Sequence, residues 1–163
     1  MKILNLILLL LLSAQLIAKE NRALGNITVD DYYEKNMSLP QLIPNDYWVL
    51  IVLDGNLSSS HEYLYAIQKQ KIDMSKTIIL LLNSTDSKER FFQKYQKTIQ
   101  AYSWANTKGN EILTQLNISA TPVTLGMHKD KVRWQNSGFP QNPQSSTLFG
   151  KQLNNWIKKE VIK

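Results

Sequence analysis

Residues Tyr47–Ile67 read YWVLIVLDGNLSSSHEYLYAI, and this stretch decides the fold. Trp48–Leu53 is an unbroken apolar run rich in β-branched residues, which is typical of a central strand covered on both faces. Asp54-Gly55-Asn56 ends this strand with a turn. The apolar residues that follow recur at helical spacing, at Tyr63, Leu64 and Ile67. The stretch therefore predicts a strand, a turn and an amphipathic helix in direct succession.

A second stretch, Ile118–Leu125 or ISATPVTL, places Thr121-Pro122 at the entry to another strand. Elsewhere, apolar runs alternate with helical periodicities. They predict strands at Thr77–Leu82, Ala101–Trp104, Val123–Met127 and Lys131–Gln135, a helix that carries Phe91, Phe92, Tyr95 and Ile99 on one face, and helices at Asn110–Leu116 and Thr147–Ile162. This order predicts an α/β fold with a mixed central sheet and helices on both faces.

From Trp48 to its C-terminus, the chain resembles the thioredoxin-like superfamily, in particular the catalytic domain of periplasmic disulfide isomerases of the DsbC and DsbG type. In that family an apolar strand runs into Asp, two residues and Cys-x-x-Cys-His. The same frame reads here Asp54, Gly55, Asn56, Leu57, Ser58, Ser59, Ser60 and His61. The family's Gly-Val-x-Gly-Thr-Pro corresponds to the end of Leu116–Pro122, and its Gly-Tyr-x-Pro to Ser137-Gly138-Phe139-Pro140. The resemblance implies a thioredoxin-like fold in which a proline loop faces this frame.

We call Leu57–His61 the degenerate frame, because the chain contains no cysteine. By the resemblance, Leu57 stands at the position of the nucleophilic cysteine and Ser60 at that of the buried one. A thiolate is the group that attacks a disulfide, and leucine carries no nucleophile. We therefore predict a relative without thiol redox activity, with no catalytic residue in the frame and no cofactor.

The resemblance also implies a binding surface, because the proline loop holds the substrate chain in thioredoxin-like proteins. Loss of the cysteines need not remove that binding. We expect an extended peptide or a partner protein to bind in a frame–loop groove, whose candidate residues are Leu57, His61, Ala120, Thr121, Pro122 and Val123. A backbone left free by a cis Thr121-Pro122 bond would pair with such a segment. The opposite possibility, a groove that is filled and idle, stays open.

To a lesser degree the chain is similar to the F-type conjugative pilus assembly protein TrbC, which also looks like a cysteine-free thioredoxin-like domain. This similarity implies an interaction or assembly role in the bacterial cell envelope, as part of a secretion or conjugation apparatus.

Two other functions remain open. The first is an enzyme with non-thiol chemistry in the same groove, since Ser58–Glu62 contains serine, histidine and a carboxylate. Adjacent helix positions do not face each other, so helix capping by a serine hydroxyl is favoured over a catalytic triad. His61 and His128 are expected to lie far apart, which argues against a shared metal site. The second is an adaptor that uses another surface, such as Val29–Pro44.

Residues 1–18 form a separate segment with a positive start at Lys2, the aliphatic run Ile3–Leu12, and Ala18. This pattern predicts a secretory signal peptide cleaved after Ala18, since the run is short for a membrane span. We expect an N-terminal lead-in over residues 19–45 and the thioredoxin-like domain over residues 46–163. The protein is expected to be exported to the periplasm without stable membrane insertion after cleavage, or to remain membrane-tethered if the signal is retained.

Charge and apolar content narrow these expectations further. The formal net charge of +6 comes from scattered basic residues with no dense run, so nucleic-acid binding is not expected.

The lead-in predicts a short helix at Val29–Lys35, or an extra strand at Asn26–Val29. The aromatic residues Trp48, Tyr63, Tyr65 and Trp134 are assigned to the core, as is Leu148 of the last helix.

Overall fold

A computed structural model describes residues 23–25, 27–30, 36–43, 46–69, 76–82, 100–103 and 109–159. Within them, seven strands form one mixed sheet in the order β2-β1-β5-β4-β3-β6-β7. The strands are β1 (Thr28–Asp30), β2 (Asn36–Ser38), β3 (Tyr47–Asp54), β4 (Thr77–Leu82), β5 (Gln100–Ser103), β6 (Val123–His128) and β7 (Lys131–Ser137). The helices are α1 (Ser58–Lys69), α2 (Gly109–Gln115) and α3 (Pro143–Ile157), with a 3-10 turn at Leu39–Leu42. The predicted α/β class with a mixed central sheet is confirmed.

Strand β3 lies at the centre of the fold, parallel to β4 and antiparallel to β6. Its interior residues are all buried, as the unbroken apolar run predicted. Because side chains alternate along a strand, Val49, Ile51 and Leu53 enter one core cluster. Trp48, Leu50 and Val52 enter the other. The sheet therefore separates two apolar layers.

The helices lie on both faces of the sheet, as predicted. Helices α1 and α3 pack on the face of Val49 through Tyr63, Leu64, Ile67, Phe149, Leu153 and Ile157. Helix α2 packs on the opposite face through Ile112, and Leu116, directly after the helix, packs there too. Burial of each large apolar side chain stabilises the fold by roughly 1.5–3 kcal/mol, which the helices need because short isolated helices are marginal in water.

The lead-in contributes to the sheet and to the core. Val29 and Asp30 lie in strand β1, so the helix predicted at Val29–Lys35 is wrong at these two residues, and residues 31–35 lie outside the described ones. The alternative of an extra strand at Asn26–Val29 is closer. Pairing with β2 and with β5 satisfies backbone groups here that a helix would satisfy locally. The buried apolar residues of the lead-in share a cluster with β3, β4 and β6, and they are Leu24, Ile27, Val29 and Leu39.

Strands β6 and β7 form the predicted hairpin, with a turn at Lys129-Asp130. The pairing register shifts between Gly126 and Met127. The indole ring of Trp134 lies over Gly126 so closely that an added Cβ would be 2.0 Å from it. Glycine is therefore required at this point by the packing of Trp134.

Helix α3 begins earlier than the sequence predicted, at Pro143 instead of Thr147. The Asn142 side chain accepts hydrogen bonds from the backbone N–H groups of Gln144 and Ser145 and caps the helix, and proline fits the first helical position. Asn142 and Pro143, which were read as turn residues, therefore mark the start of the helix.

Leu148 is 65% exposed and Tyr65 is 67% exposed, so their assignment to the core was wrong.

Several predictions fall outside the described residues. They are the segment 1–18, the helix that carries Phe91, Phe92, Tyr95 and Ile99, Trp104 at the end of the short fifth strand, and the last turn of the C-terminal helix beyond residue 159. Among the described residues, no helix combines the length and apolar character needed to cross a membrane.

Candidate functional site

The strand pairing brings the degenerate frame and the proline loop to the same end of the sheet. Val52, near the C-terminal end of β3, pairs with Val123, the first residue of the antiparallel strand β6. The frame follows the end of β3, and Thr121-Pro122 precedes the start of β6. Two stretches that are distant in sequence therefore lie at the same end of the β3–β6 pair.

A compact turn connects β3 to α1. The Asp54 side chain accepts a hydrogen bond of 2.9 Å from the Asn56 N–H, and the Asp54 carbonyl accepts one of 3.2 Å from the Leu57 N–H. The Gly55 N–H donates to the Leu82 carbonyl of β4 at 2.9 Å. This turn fixes the start of α1 against the end of the sheet.

The five residues of the degenerate frame differ in exposure. Leu57 is 43% exposed, Ser58 is exposed, and Ser59 and His61 are half-buried. Ser60 is fully buried, and its hydroxyl has no hydrogen-bond partner among the described residues. Ser60 therefore caps no helix and receives no activation from His61. The frame presents an exposed apolar side chain, Leu57, at the position that the sequence resemblance assigns to a nucleophile.

Helix α1 is tied to the strand behind the proline loop. The Tyr63 hydroxyl and the Thr124 hydroxyl form a buried hydrogen bond between α1 and β6. Burial raises the pKa of Tyr63 far above its ordinary value, and the hydrogen bond to Thr124 opposes this rise. The Phe139 ring packs edge-on against Tyr63, with ring centroids 5.5 Å apart. Helix α1 and strand β6 are therefore held in fixed relation next to the degenerate frame and the proline loop.

The Thr121-Pro122 peptide bond is cis. The Pro122 carbonyl accepts a hydrogen bond of 2.8 Å from Gly138, which has a φ of 69°. Among the described residues, none is hydrogen bonded to the backbone N–H or C=O of Thr121. Ala120 is exposed, and Thr121 and Pro122 are half-buried. The backbone groups of Thr121 therefore have no partner in the described part of the chain, in a loop that is partly exposed.

Val123 differs from the other candidate residues of the groove. Its side chain is fully buried in the core, and its backbone pairs with β3 and β7 on either side. It supports the loop from behind and has no surface for a partner. The exposed part of the frame–loop groove therefore consists of Leu57, His61 and Ala120–Pro122.

The two histidines are not brought together. Strand β6 ends at His128, which pairs with Tyr47 at the start of β3, whereas the degenerate frame follows the other end of β3. The His128 ring stacks on Tyr47 with centroids 4.6 Å apart. Within the described ranges, no three His, Asp or Glu side chains lie together in the manner of metal ligands.

The structure also contains a groove that the sequence reasoning missed. It has a volume of about 470 Å³ and lies between α1 and the start of α3. We call it the α1–α3 groove; its main lining residues are Glu62, Tyr65, Lys69, Phe139, Pro140 and Pro143. The available signal was the spacing of Glu62, Tyr65, Ala66 and Lys69, which places them on one helix face away from the apolar stripe.

Comparisons with known proteins bear on the fold. No protein-family model matches the chain, and no curated protein sequence is similar to it. Solved structures do match. The thioredoxin domain of a thiol-disulfide oxidoreductase from Bacteroides vulgatus has a TM-score of 0.61 and 11% identity, over 83% of this chain and 98% of that domain. The fold is thioredoxin-like.

Other similar structures share this fold and are also named as thiol-disulfide enzymes. A secreted disulfide oxidoreductase of Mycobacterium tuberculosis has a TM-score of 0.59 and 9% identity, over 80% of this chain and 96% of its own. A thiol-disulfide isomerase from Corynebacterium glutamicum has a TM-score of 0.57 and 13% identity, over 85% of this chain and 97% of its own. These proteins are named for thiol chemistry, whereas this chain contains no cysteine to perform it.

Proposed function

We propose that this protein is an exported, redox-inactive thioredoxin-like module that binds an extended segment of a partner protein in the frame–loop groove. The observation that carries the proposal is the backbone of Thr121, which is hydrogen bonded to none of the described residues and lies just before β6. An extended peptide that pairs with such a backbone gains main-chain hydrogen bonds, and neighbouring side chains then provide specificity. Leu57, which is 43% exposed at the same end of the sheet, supplies the apolar contact in this proposal.

The absence of cysteine supports a non-covalent use of this groove. A thiol-dependent enzyme forms and breaks a mixed disulfide with its substrate, which requires a thiolate on the protein. This chain has none, so a bound segment is held by hydrogen bonds and apolar contacts alone. A binding or assembly role uses the retained part of the groove without its lost chemistry.

The proposed setting is the bacterial cell envelope, in a secretion or conjugation apparatus. The aliphatic run at Ile3–Leu12 supports export, because it has the length and position of a signal-peptide core. The similar structure from Mycobacterium tuberculosis is named as a secreted protein. The similarity to conjugative pilus assembly proteins of the TrbC type supports the assembly role, and it rests on analogy between folds.

The test is a pull-down from envelope extracts with the mature protein and a Leu57→Asp, Thr121→Arg double variant. Both substitutions introduce charge at exposed or half-buried positions, so the variant is expected to fold, which circular dichroism checks. Leu148→Asp provides the matched control, since Leu148 is an exposed leucine on α3. We expect the partner to bind the wild type and the control and to be lost from the double variant.

Other outcomes would count against the proposal. A partner retained by the double variant would show that binding uses another surface. Loss from the Leu148→Asp control as well would show that the binding is not confined to the groove. If nothing binds to any of the three proteins, the assembly role loses its support.

A further inference from the structure

The α1–α3 groove is a second surface suited to binding, separate from the frame–loop groove. Its volume of about 470 Å³ lies within the range of roughly 300–1,000 Å³ that is usual for ligand sites. One wall is the outer face of α1, and the other is formed by the segment from Phe139 to the first turn of α3. None of the exposed candidate residues of the frame–loop groove lines it.

The apolar part of this groove is made of rigid, flat side chains. Tyr65 lines it and is 67% exposed, although a large aromatic side chain of a folded domain is usually far more buried. Phe139 is held in place by edge-on contacts with Tyr63 and Phe149, each with centroids 5.5 Å apart. Pro140 and Pro143 complete the lining. Aromatic-lined grooves bind proline-rich segments in other proteins.

The backbone of the groove offers little to an extended strand. The backbone groups of α1 at Tyr65 and Ala66 belong to the helix ladder, and Pro140 and Pro143 carry no N–H group. The Thr147 hydroxyl is already donated to the Pro143 carbonyl at 2.9 Å. A ligand that needs main-chain pairing finds no row of donors and acceptors here. A polyproline II segment needs none, because its backbone stays solvated.

Two opposite charges lie toward the two ends of the α1 wall. Glu62 and Lys69 both line the groove, seven positions apart on the helix. Within the described part of the chain neither forms an ion pair. At a rise of 1.5 Å per residue they are about 10 Å apart along the axis. A polyproline II segment rises 3.1 Å per residue, so about three of its residues span this distance.

We propose that the α1–α3 groove binds a proline-rich segment in the polyproline II conformation. The segment carries a basic residue opposite Glu62 and an acidic residue opposite Lys69, three positions apart, with prolines between them on Tyr65 and Phe139. Charge complementarity sets the chain direction, and the proline rings provide the contact area. This site goes beyond the frame–loop groove and does not depend on the function proposed for it.

The experiment uses the mature protein and capped peptides, with binding followed by backbone amide shifts in NMR at low salt. The probe is acetyl-Gly-Arg-Pro-Pro-Asp-Gly-amide. Its controls are Arg-Ala-Ala-Asp, Arg-Pro-Pro-Arg and Asp-Pro-Pro-Asp in the same frame. We expect the probe to bind about two- to fivefold more tightly than either like-charged peptide, which is the range for an exposed ion pair. The alanine peptide should bind more weakly than the probe, because it lacks the preformed conformation and the rings.

Substitutions in the protein locate the site. Tyr65→Ala should weaken the probe about five- to tenfold, as expected for loss of an aromatic anchor. Leu148→Ala is the matched control, because Leu148 is exposed to nearly the same extent and does not line the groove. Lys69→Glu should reverse the preference, so that the Arg-Pro-Pro-Arg peptide binds more tightly than the probe.

The results that would overturn the proposal are equally specific. They are equal affinity for all four peptides, equal loss from Tyr65→Ala and Leu148→Ala, or no shift of groove amides at millimolar peptide. The Leu57→Asp, Thr121→Arg variant should bind the probe as the wild type does. Failure of this proposal is therefore distinguishable from failure of the function proposed for the frame–loop groove.

Discussion

The two ends of the β3–β6 strand pair differ in how many of their polar groups are hydrogen bonded and how many of their apolar side chains are packed within the protein. At the end opposite the frame, Tyr47 stacks on His128 and packs edge-on against Trp156, at 4.6 and 5.2 Å between centroids. The Trp156 N–H donates to the carbonyls of Trp48 and Met127. The Lys159 ammonium lies 4.4 Å from the Trp156 ring centroid. We call this the closed end.

At the other end of the same strands, several groups lack such partners. Among the described residues, the Thr121 backbone is unpaired and the buried Ser60 hydroxyl accepts and donates nothing. Leu57 is an apolar side chain that remains 43% exposed. We call this the open end.

The contrast between the two ends separates stability from binding. A buried or half-buried polar group without a hydrogen-bond partner lowers the stability of the fold, whereas packed aromatic pairs raise it. The closed end therefore stabilises the domain, which has no disulfide to assist it. Within the described residues, the open end keeps donors and acceptors without partners and an exposed apolar side chain, which are features that a binding surface uses.

The largest effect is expected from breaking the closed end at Gly126. A Cβ at this position would lie 2.0 Å from the indole ring of Trp134, which itself packs against Trp156 at 5.8 Å. We expect Gly126→Ala to lower the free energy of unfolding by about 2–3 kcal/mol, the cost of overpacking. Denaturant unfolding followed by circular dichroism measures this value.

A second glycine provides the control for backbone effects. Gly138 has a φ of 69° and no atom within 4 Å of an added Cβ, so Gly138→Ala introduces backbone strain without a clash. Its expected cost is about 1–2 kcal/mol. Trp134→Leu in the Gly126→Ala background should recover part of the loss, because it removes the clashing ring. Equal stability of Gly126→Ala and the wild type would contradict this account of the closed end.

The central elements could be predicted from sequence because their signals are local. An apolar run of β-branched residues identified β3 and β4, and the helical spacing of Tyr63, Leu64 and Ile67 identified α1. Val29 was wrongly predicted to begin a helix, because β1 is short and forms only through pairing with β2 and β5. The start of α3 was misread because proline and asparagine serve both turns and helix caps.

The site was only partly predictable for a related reason. The degenerate frame and the Thr121-Pro122 turn were identified, and strand order then explains why they lie at one end of the sheet. The α1–α3 groove was not identified, because its two walls belong to distant segments whose contact depends on how α3 packs. Burial of Val123 likewise follows from its place between β3 and β7. Periodicity reports which face of one element is apolar, and it does not report what covers that face.

A second prediction, with a smaller effect, tests the hydrogen bond between Tyr63 of α1 and Thr124 of β6. Burial raises the pKa of Tyr63 far above the ordinary 10.0. Below pH 10 the hydroxyl is protonated in both the folded and the unfolded states, so its contribution to stability is constant. Above pH 10 only the unfolded state ionises, and stability falls. One pH unit above 10, the loss is about 1.4 kcal/mol.

The measurement compares denaturant unfolding of the wild type and Tyr63→Phe between pH 8 and pH 11. Tyr63→Phe should be less stable than the wild type at pH 8, because Thr124 loses its hydrogen-bond partner. The difference should shrink above pH 10, since phenylalanine does not titrate and the other tyrosines are common to both proteins. Parallel pH profiles would show that the Tyr63 hydroxyl is not buried in solution.

The smallest effect sharpens the contrast at the open end through Ser60. Its hydroxyl is buried without a partner among the described residues, so Ser60→Ala removes a desolvated polar group and leaves its surroundings intact. We expect the free energy of unfolding to rise by about 1 kcal/mol. Ser58→Ala, at an exposed position of the same frame, is expected to stay within about 0.5 kcal/mol of the wild type. Urea unfolding of the three proteins side by side measures both. Loss of stability in Ser60→Ala would mean that the Ser60 hydroxyl has a hydrogen-bond partner in solution. The open end would then be as well satisfied at this position as the closed end, and the contrast between them would be weaker.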